Sequence, residues 1–318
     1  MKNVLIFTAA LGVLVSASAG AMAQDKLKVA VGQRGVYENS ISELGQNAGF
    51  FKKHGLELEV LYTQGSGETQ QAVISGSVDI GIGVGTHGLM GAFSKGAPVR
   101  AIGATMTGAY EFWYVKADSP IKSFKDAAGK TVAYSTSGSS TQMMVNAMQK
   151  QFDVKVRPTA TGSPTSTFTQ VMSNQIDVGW SAPPLAYAPV LDGRTRILVP
   201  GKDITAFRSQ TIRMIAANAG DLEKRRDVYG RYLAAYRDTI EWMYSDPSSL
   251  DAYAKWAEIS REMAEKVRNE FLPKENLDPG RMSGLDEMME DAVSFKFLAA
   301  KLTKEQLATL FQKPDVKK

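Results

Sequence analysis

Hydrophobic and polar positions follow a strand, helix and strand order near the start of the chain. Apolar residues from Leu27 to Val31 predict a buried strand, and the apolar residues after it recur three or four positions apart, as on one face of a helix. These helix positions are Ile41, Leu44, Ala48 and Phe51. Residues 56–62 then alternate, with Leu56, Leu58, Val60 and Tyr62 predicted to face inward. This order is typical of a parallel sheet.

One segment of the chain occurs twice. Residues 63–83 read TQGSGETQQAVISGSVDIGIG, and residues 161–180 read TGSPTSTFTQVMSNQIDVGW. Identical residues lie 98 positions apart, among them Val73 and Val171, Ser75 and Ser173, Asp79 and Asp177, and Gly81 and Gly179. Each copy reads as a turn, a short amphipathic helix and a brief apolar strand. The repeat predicts two similar α/β lobes, and the cleft between such lobes is a usual place for a small molecule to bind.

The rest of the pattern predicts how the lobes are connected. A strand is predicted near residues 210–217, and apolar residues recur at helical spacing afterwards at Val228, Tyr232, Tyr236, Ile240 and Met243. We expect lobe one to comprise residues 24–111 and 212–318, and lobe two to comprise residues 112–211. The chain would therefore cross between lobes near Glu111 and near Ile212, and these two crossings would form a hinge.

The first 23 residues have the pattern of a cleaved export signal. Lys2 supplies a positive start, Val4–Val15 is an apolar stretch, and Ala21-Met22-Ala23 is a small-residue cleavage site. A membrane anchor is the alternative, although the apolar stretch is short for a bilayer. We predict a soluble exported protein that begins near Gln24, without stable membrane insertion.

Composition narrows the classes of function. The chain has 318 residues and no cysteine, so disulfides and thiolate metal sites are excluded. Its 37 basic and 33 acidic residues are scattered, which disfavours a nucleic-acid partner. It has only two histidines, His54 and His87, and no metalloprotease, phosphate-loop or nucleophile-elbow motif. We therefore predict a protein that is not an enzyme and needs no cofactor or metal.

Four segments together resemble a known family. They are AGFFKKHGLELEV at 48–60, QGSGETQQAVISGSVDIGIGVGT at 64–86, TSGSS at 136–140 and QIDVGW at 175–180. The chain from about Leu27 to about Val199 is similar to the periplasmic substrate-binding proteins of nitrate, sulfonate and taurine type ABC importers. That family also includes proteins similar to pyrimidine-precursor synthases.

The resemblance implies an α/β, two-lobed periplasmic-binding-protein type II (venus-flytrap) fold with two crossover strands and a helical C-terminal part. It also implies a periplasmic monomer that binds a solute between its lobes and delivers it to an ABC permease with its ATPase. The related synthases carry a cysteine-containing motif and consume a histidine, so their activity is not transferred to this cysteine-free chain.

Two polar turns are candidate anion sites because each precedes a predicted helix. A helix start offers free backbone N–H groups and the positive end of the helix dipole. The candidate residues are Gly65, Ser66 and Gly67 in the first turn, and Ser135, Ser137, Ser139 and Ser140 in the second. Simple capping is the alternative, since Ser139 and Gln142 have the spacing of a capping box.

Further candidates lie at predicted strand ends or near the hinge. They are Gln33 and Arg34, Thr86 and His87, Tyr110 and Glu111, and Trp180, Ser181 and Pro183. For Arg34 the alternative is a solvated side chain, for His87 a structural role, and for Trp180 and Tyr110 a place in the core.

The helix starts and Arg34 favour a ligand with a negative charge, and the aromatic residues favour an organic one. A sulfonate or carboxylate is therefore the first expectation. If Glu68 or Glu111 points inward, a zwitterionic or cationic solute such as a thiamine precursor becomes the alternative. A sensor that docks a receptor after binding its ligand is the alternative to an importer component.

Overall fold

The computed structural model describes residues 24–314, so the predicted export signal lies outside the described residues. Within them the strands are β1 Asp25–Gly32, β2 Leu56–Thr63, β3 Ile80–Gly85, β4 Val99–Thr107, β5 Phe112–Lys116, β6 Thr131–Tyr134, β7 Arg157–Ala160, β8 Gly179–Ser181, β9 Thr195–Pro200 and β10 Thr211–Asn218. The helices are α1 Ile41–Asn47, α2 Phe50–Lys53, α3 Ser66–Ile74, α4 Thr86–Ser94, α5 Ser140–Phe152, α6 Pro164–Met172, α7 Ala188–Leu191, α8 Ala219–Lys224, α9 Arg226–Ser245, α10 Ser248–Ala257, α11 Arg261–Phe271, α12 Leu285–Ser294 and α13 Lys304–Leu310.

The first sheet has the strand order β2, β1, β3, β10, β4. Strand β1 is parallel to β2 and β3, whereas β10 is antiparallel to β3 and β4. The near-continuous apolar sequence of β1 and β3 reflects burial on both faces of the sheet. In β2 the predicted alternation is confirmed for Leu56 and Leu58, but Tyr62 is exposed because β2 is the edge strand and its end projects from the core.

The second sheet repeats this arrangement. Strands β8, β5 and β9 pair antiparallel, and β6 pairs parallel with β7. A parallel bridge between Val132 and Val178 places β6 beside the start of β8. The resulting order β7, β6, β8, β5, β9 matches that of the first sheet, with the antiparallel strand again in fourth place. We use "first lobe" and "second lobe" for the residues packed on each sheet, and the predicted boundaries remain predictions.

Two segments connect the sheets, residues 108–111 between β4 and β5 and residues 201–210 between β9 and β10. They lie side by side, because Gly108 N donates to Gln210 O at 2.9 Å and Gly201 N donates to Glu111 O at 2.6 Å. We call them the crossing segments.

The repeated sequence makes the same hydrogen bonds in both lobes. Asp79 Oδ2 accepts from Lys28 N at 2.8 Å, and Asp177 Oδ2 accepts from Thr131 N at 2.8 Å. A second matched pair joins hydroxyls 2.7 and 2.6 Å apart, Thr63 to Thr69 and Thr161 to Thr167. Each aspartate therefore ties the start of its strand to the neighbouring parallel strand, β1 in the first lobe and β6 in the second, which explains why this position is identical in the two copies.

Helical segments cover the sheets and form the C-terminal part. The helix predicted through Ile41 and Phe51 is divided into α1 and α2 at Gly49, which has a left-handed φ of 85°. Helix α9 packs its apolar face on α1 and α2, and its Tyr232 and Tyr236 are fully buried. No helix between residues 24 and 314 has the length and apolar character needed to cross a membrane.

Candidate ligand-binding site

The two polar turns predicted from the sequence lie against each other across the lobes. Gly67 N donates to Thr136 Oγ1 at 2.9 Å, and a Cβ added at Gly67 would lie 2.1 Å from Ser137 O. A Cβ added at Gly65 would lie 3.1 Å from the Ser135 side chain. Only glycine allows so close a backbone approach, so these turns are in direct contact between the lobes.

The same contact continues along α4. A Cβ at Gly88 would lie 2.2 Å from Gly138 O, and one at Gly85 would lie 2.8 Å from Ser140 N. We define the closure seam as Gly67, Gly85 and Gly88 of the first lobe together with residues 136–140 of the second. A side chain added at any of the three first-lobe glycines would collide with the backbone of the second lobe.

Some polar groups of the second turn, which was a candidate anion site, cap helix α5. At the start of α5, Gln142 N donates to Ser139 Oγ at 3.1 Å, and Gly138 N donates to Gln142 Oε1 at 2.8 Å. Ser135 is also engaged, since its N–H donates to Thr141 Oγ1 at 2.9 Å. The start of α3 differs, because Gly67 N donates to Thr136 Oγ1 of the second lobe and the buried Ser66 Oγ has no hydrogen-bond partner among the described residues.

Thr86 and His87 are buried at the start of α4. Thr86 Oγ1 donates to Thr211 O at 2.6 Å, which uses its hydroxyl within the first lobe. The His87 ring packs edge-on against Phe207 with centroids 5.7 Å apart. Burial lowers the pKa of His87 to about 3, so the ring is neutral at ordinary pH and supplies no positive charge to a ligand.

A buried group of charged side chains lies where the crossing segments meet the first sheet. We call Glu38, Tyr110, Glu111 and Arg213 the junction cluster. Arg213 Nη1 donates to Glu111 Oε1 at 2.8 Å, and Arg213 Nη2 is 3.4 Å from Glu38 Oε1. Tyr110 donates its hydroxyl proton to Glu38 Oε2, and its ring centroid lies 5.5 Å from Arg213 Cζ. Glu38 and Glu111 are each only 1% exposed.

The cluster contains two carboxyl groups and one guanidinium. Burial raises the pKa of Glu38, and the opposing effects of Arg213 and of the Tyr110 hydrogen bond do not cancel this. Burial alone would lower the pKa of Arg213, but the charges of Glu111 and Glu38 raise it, so Arg213 stays charged. With both carboxylates ionised, the three charged groups carry a net charge of −1.

Several polar atoms in and beside the cluster have no hydrogen-bond partner within residues 24–314. They are Glu38 Oε1, Asn39 Oδ1, Arg213 Nε and Arg213 Nη2. At 3.4 Å, Arg213 Nη2 and Glu38 Oε1 form an ion pair without hydrogen-bond geometry. An unpaired buried polar atom costs about 1–3 kcal/mol. Such a concentration of unpaired donors and acceptors is typical of a binding site.

Gln33 and Arg34 lie in the loop after β1, apart from this cluster. The Arg34 guanidinium is exposed and lies 5.8 Å from the ring centroids of Tyr62 and Trp256, both in the first lobe. The Gln33 side chain donates to Gln64 O at 3.4 Å. The structure thus places Arg34 on an outer aromatic surface, because the edge strand β2 offers it two rings there.

The remaining candidates follow β8. Trp180 is opposite Trp113 in the sheet and is 2% exposed, and its indole Nε1 has no partner among the described residues. Ser181 Oγ donates to Leu185 O at 2.5 Å, so this hydroxyl closes a local turn that includes Pro183. Across the cleft, a Cβ at Gly35 would lie 3.0 Å from Leu185 Cδ2, which brings the loops after β1 and β8 together.

Sequence reasoning named Tyr110 and Glu111 but missed Glu38, Asn39 and Arg213. One signal was available, since Arg213 is the single charged residue in the otherwise apolar run TIRMIAA. A charge in a buried strand requires a partner. Glu68 was considered as an inward acidic group, but it is exposed and accepts from Gln64 N at 2.6 Å at the start of α3.

Two sheets of matching strand order, joined by two crossing segments with a polar cluster at their junction, define the periplasmic-binding-protein fold. An alkanesulfonate-binding protein of Xanthomonas axonopodis pv. citri, solved with MOPS bound, superposes with a TM-score of 0.72 at 15% identity over 91% of this chain and 98% of that one. A periplasmic nitrate-binding protein of Synechocystis PCC 6803 superposes with a TM-score of 0.69 at 13% identity over 90% of this chain and 85% of that one. These identities establish the fold alone.

The chain belongs to the NMT1/THI5-like family, whose model matches residues 43–249. It is also 20% identical over 216 residues to the 4-amino-5-hydroxymethyl-2-methylpyrimidine phosphate synthase of Saccharomyces cerevisiae. That match covers 64% of this chain and 63% of the length of the yeast protein. The family and the fold predicted from the sequence are thereby confirmed.

Proposed function

We propose that the protein is the periplasmic solute-binding component of an ABC importer. It binds a small organic anion, a carboxylate or a sulfonate, between its lobes and delivers it to a membrane permease with its ATPase. The observation that carries this proposal is the buried Arg213 with unpaired N–H groups at the junction of the two lobes. A buried guanidinium in a cleft is well suited to an oxyanion.

The surroundings of the junction cluster support an organic ligand. The Tyr110 ring lies against Arg213, and Trp180 has an unpaired indole N–H. Aromatic faces contribute binding energy to a carbon skeleton and little to a small inorganic oxyanion. The solved relatives with this fold include proteins described as binding alkanesulfonate and nitrate, which agrees with an anionic ligand.

Closure of the lobes supplies the mechanism. The backbone contacts of the closure seam bring the two lobes together, and a ligand that touches both lobes stabilises that state. For a micromolar dissociation constant, binding and closure together must yield about 8 kcal/mol. A few charge-assisted hydrogen bonds and burial of an aromatic surface are of that size.

One observation favours a second ligand class. Glu38 and Glu111 are both buried beside Arg213, so a ligand with a positive nitrogen next to its anionic group would not add net negative charge. A zwitterionic solute is therefore the alternative, and a receptor-docking sensor remains the alternative to an importer.

We propose binding without catalysis. The yeast relative is a synthase, but the related synthases carry a cysteine-containing motif, and this chain has no cysteine. His87, a side chain available for acid and base chemistry near the seam, is kept neutral by burial, with its pKa lowered to about 3. A reaction that consumes one of the protein's own histidines would change the mass of the protein. Intact-protein mass spectrometry therefore tests whether such a reaction occurs.

A thermal-shift screen with matched pairs tests the ligand class. Propionate and β-alanine differ by one ammonium group, as do ethanesulfonate and taurine, and benzoate and nitrate extend the series. A ligand present at 100 times its dissociation constant stabilises the folded state by about 2.7 kcal/mol. We expect at least one organic anion to raise the melting temperature. If none of these compounds raises it, the anion proposal is wrong, and if the amino compounds alone do so, the zwitterion is the ligand.

The transport role needs a cellular measurement. Deleting the gene should abolish uptake of the radiolabelled binder by intact cells. Undiminished uptake, combined with confirmed binding, would remove the importer role and favour the sensor.

A further inference from the structure

The position of Arg213 differs from that of an arginine in a surface ion pair. It lies in the interior strand β10, opposite Gly85 of β3 and Met106 of β4, and only 8% of its surface is exposed. An arginine buried in the middle of a sheet is costly unless its hydrogen-bonding capacity is used. The way in which its five N–H groups are used is therefore informative.

One edge of the guanidinium makes a hydrogen bond, and the other makes only the 3.4 Å ion pair of Nη2 with Glu38 Oε1. Nη1 donates to Glu111 Oε1 at 2.8 Å, whereas Nε and Nη2 have no hydrogen-bond partner in the described part of the chain. Nε–H and one Nη2–H point the same way along one side of the planar group. Their spacing matches the two oxygens of a carboxylate or of a sulfonate, which can accept both hydrogen bonds in parallel.

We propose that Arg213 binds the anionic group of the ligand side-on through Nε and Nη2. This assignment rests on the proposed function and specifies its recognising residue. Glu111 is a positioning residue, because its carboxylate occupies Nη1 and also accepts from Tyr110 N at 3.1 Å. The Tyr110 ring, 5.5 Å from Cζ, supports one face of the guanidinium. These contacts orient the free edge before a ligand arrives, which lowers the entropic cost of binding.

The surroundings of the free edge fit an approaching anion. Gly83, within β3, has a φ of 76°, and a Cβ there would lie 3.3 Å from Asn39 Oδ1 and 4.0 Å from Arg213 Cδ. A side chain at this position would crowd the space beside the arginine.

Arg34 is the matched control for this assignment. Both residues are arginines of the first lobe, but the Arg34 guanidinium is exposed and lies over Tyr62 and Trp256. Replacing each arginine by lysine preserves the charge and removes the two-donor edge. A purely electrostatic attraction would survive both substitutions, whereas side-on recognition would be lost only in Arg213→Lys.

The test combines these variants with a measurement on the unmodified protein. Propionate and ethanesulfonate are titrated into protein labelled with 15N, and the arginine side-chain Nε signals are followed by NMR. We expect the Arg213 Nε–H signal to shift with saturation while that of Arg34 stays constant. Arg213→Lys should weaken binding at least roughly tenfold, about 1.4 kcal/mol, and Arg34→Lys should change it less than about twofold.

Each outcome decides a different point. If an organic anion binds while the Arg213 signal stays constant and Arg213→Lys binds normally, the assignment of Arg213 is wrong and the proposed function stands. If no carboxylate or sulfonate binds, both are wrong. If Arg213→Lys does not fold, the titration of the unmodified protein still decides the question.

Discussion

Acidification is expected to destabilise this protein through one buried histidine. His87 is fully buried, and its pKa is lowered by burial to about 3, from an ordinary value of about 6.5 in an unfolded chain. Between these two values the unfolded chain binds a proton that the folded protein does not bind. Stability is therefore present above pH 6.5 and is lost as the pH falls. The loss between pH 8 and pH 5 is about 2 kcal/mol from this residue alone.

The perturbation that isolates this effect is His87→Phe, which retains a ring against Phe207 and cannot titrate. Free energies of unfolding are measured with urea at pH 8 and pH 5 for both proteins, without ligand. We expect the unmodified protein to lose about 2 kcal/mol more than the variant over this interval. His54→Gln is the control, because His54 lies at the surface beside Asp238. Equal losses in the unmodified protein and in His87→Phe would refute the reasoning.

Two further predictions concern the seam and the junction cluster. Gly88→Ala would place a Cβ 2.2 Å from Gly138 O, so the lobes must separate. We expect a larger radius of gyration by X-ray scattering and about tenfold weaker ligand binding, and an unchanged envelope and affinity would contradict this. Gly220→Ala is the control, because its added Cβ would meet its nearest atom at 3.7 Å. Burial raises the pKa of Glu38, so the contribution of this carboxyl to stability is present below about pH 4.3 and is lost as the pH rises through the raised value. Glu38→Gln should therefore become more stable relative to the unmodified protein between pH 5 and pH 8, measured as the free energy of unfolding in urea. A difference in that free energy that stays constant with pH would argue against this.

The lowered pKa of His87 and the charge of the junction cluster also bear on the ligand. Because His87 is neutral, Arg213 is the buried positive charge near the crossing segments in residues 24–314. An anion bound there meets two carboxyl groups already paired with Arg213. Because the pKa of Glu38 is raised, this carboxyl can take up a proton and so offset the negative charge that the anion brings. The affinity for an anion should therefore increase as the pH falls.

The two-lobed fold could be predicted from the amino-acid sequence. The repeated segment predicted two similar lobes, and the identity of Asp79 and Asp177 corresponds to the same strand-tying hydrogen bond in each. The sequence pattern predicted β1, β2 and β10 to within a few residues. These features are local, since they depend on residues a few positions apart or on a repeated unit that folds the same way twice.

The location of the buried charged side chains could not be predicted from the sequence, because it depends on contacts between distant strands. Glu38 and Arg213 are 175 positions apart in the sequence, and their contact depends on the register of β10 between β3 and β4. The same is true of the closure seam, where glycines of one lobe meet the backbone of the other. The sequence pattern favoured Arg34 because it follows a strand, but the aromatic surface at the sheet edge draws that side chain outward. Charge pairing between distant strands has no periodic signature, so it becomes visible only once the chain is folded.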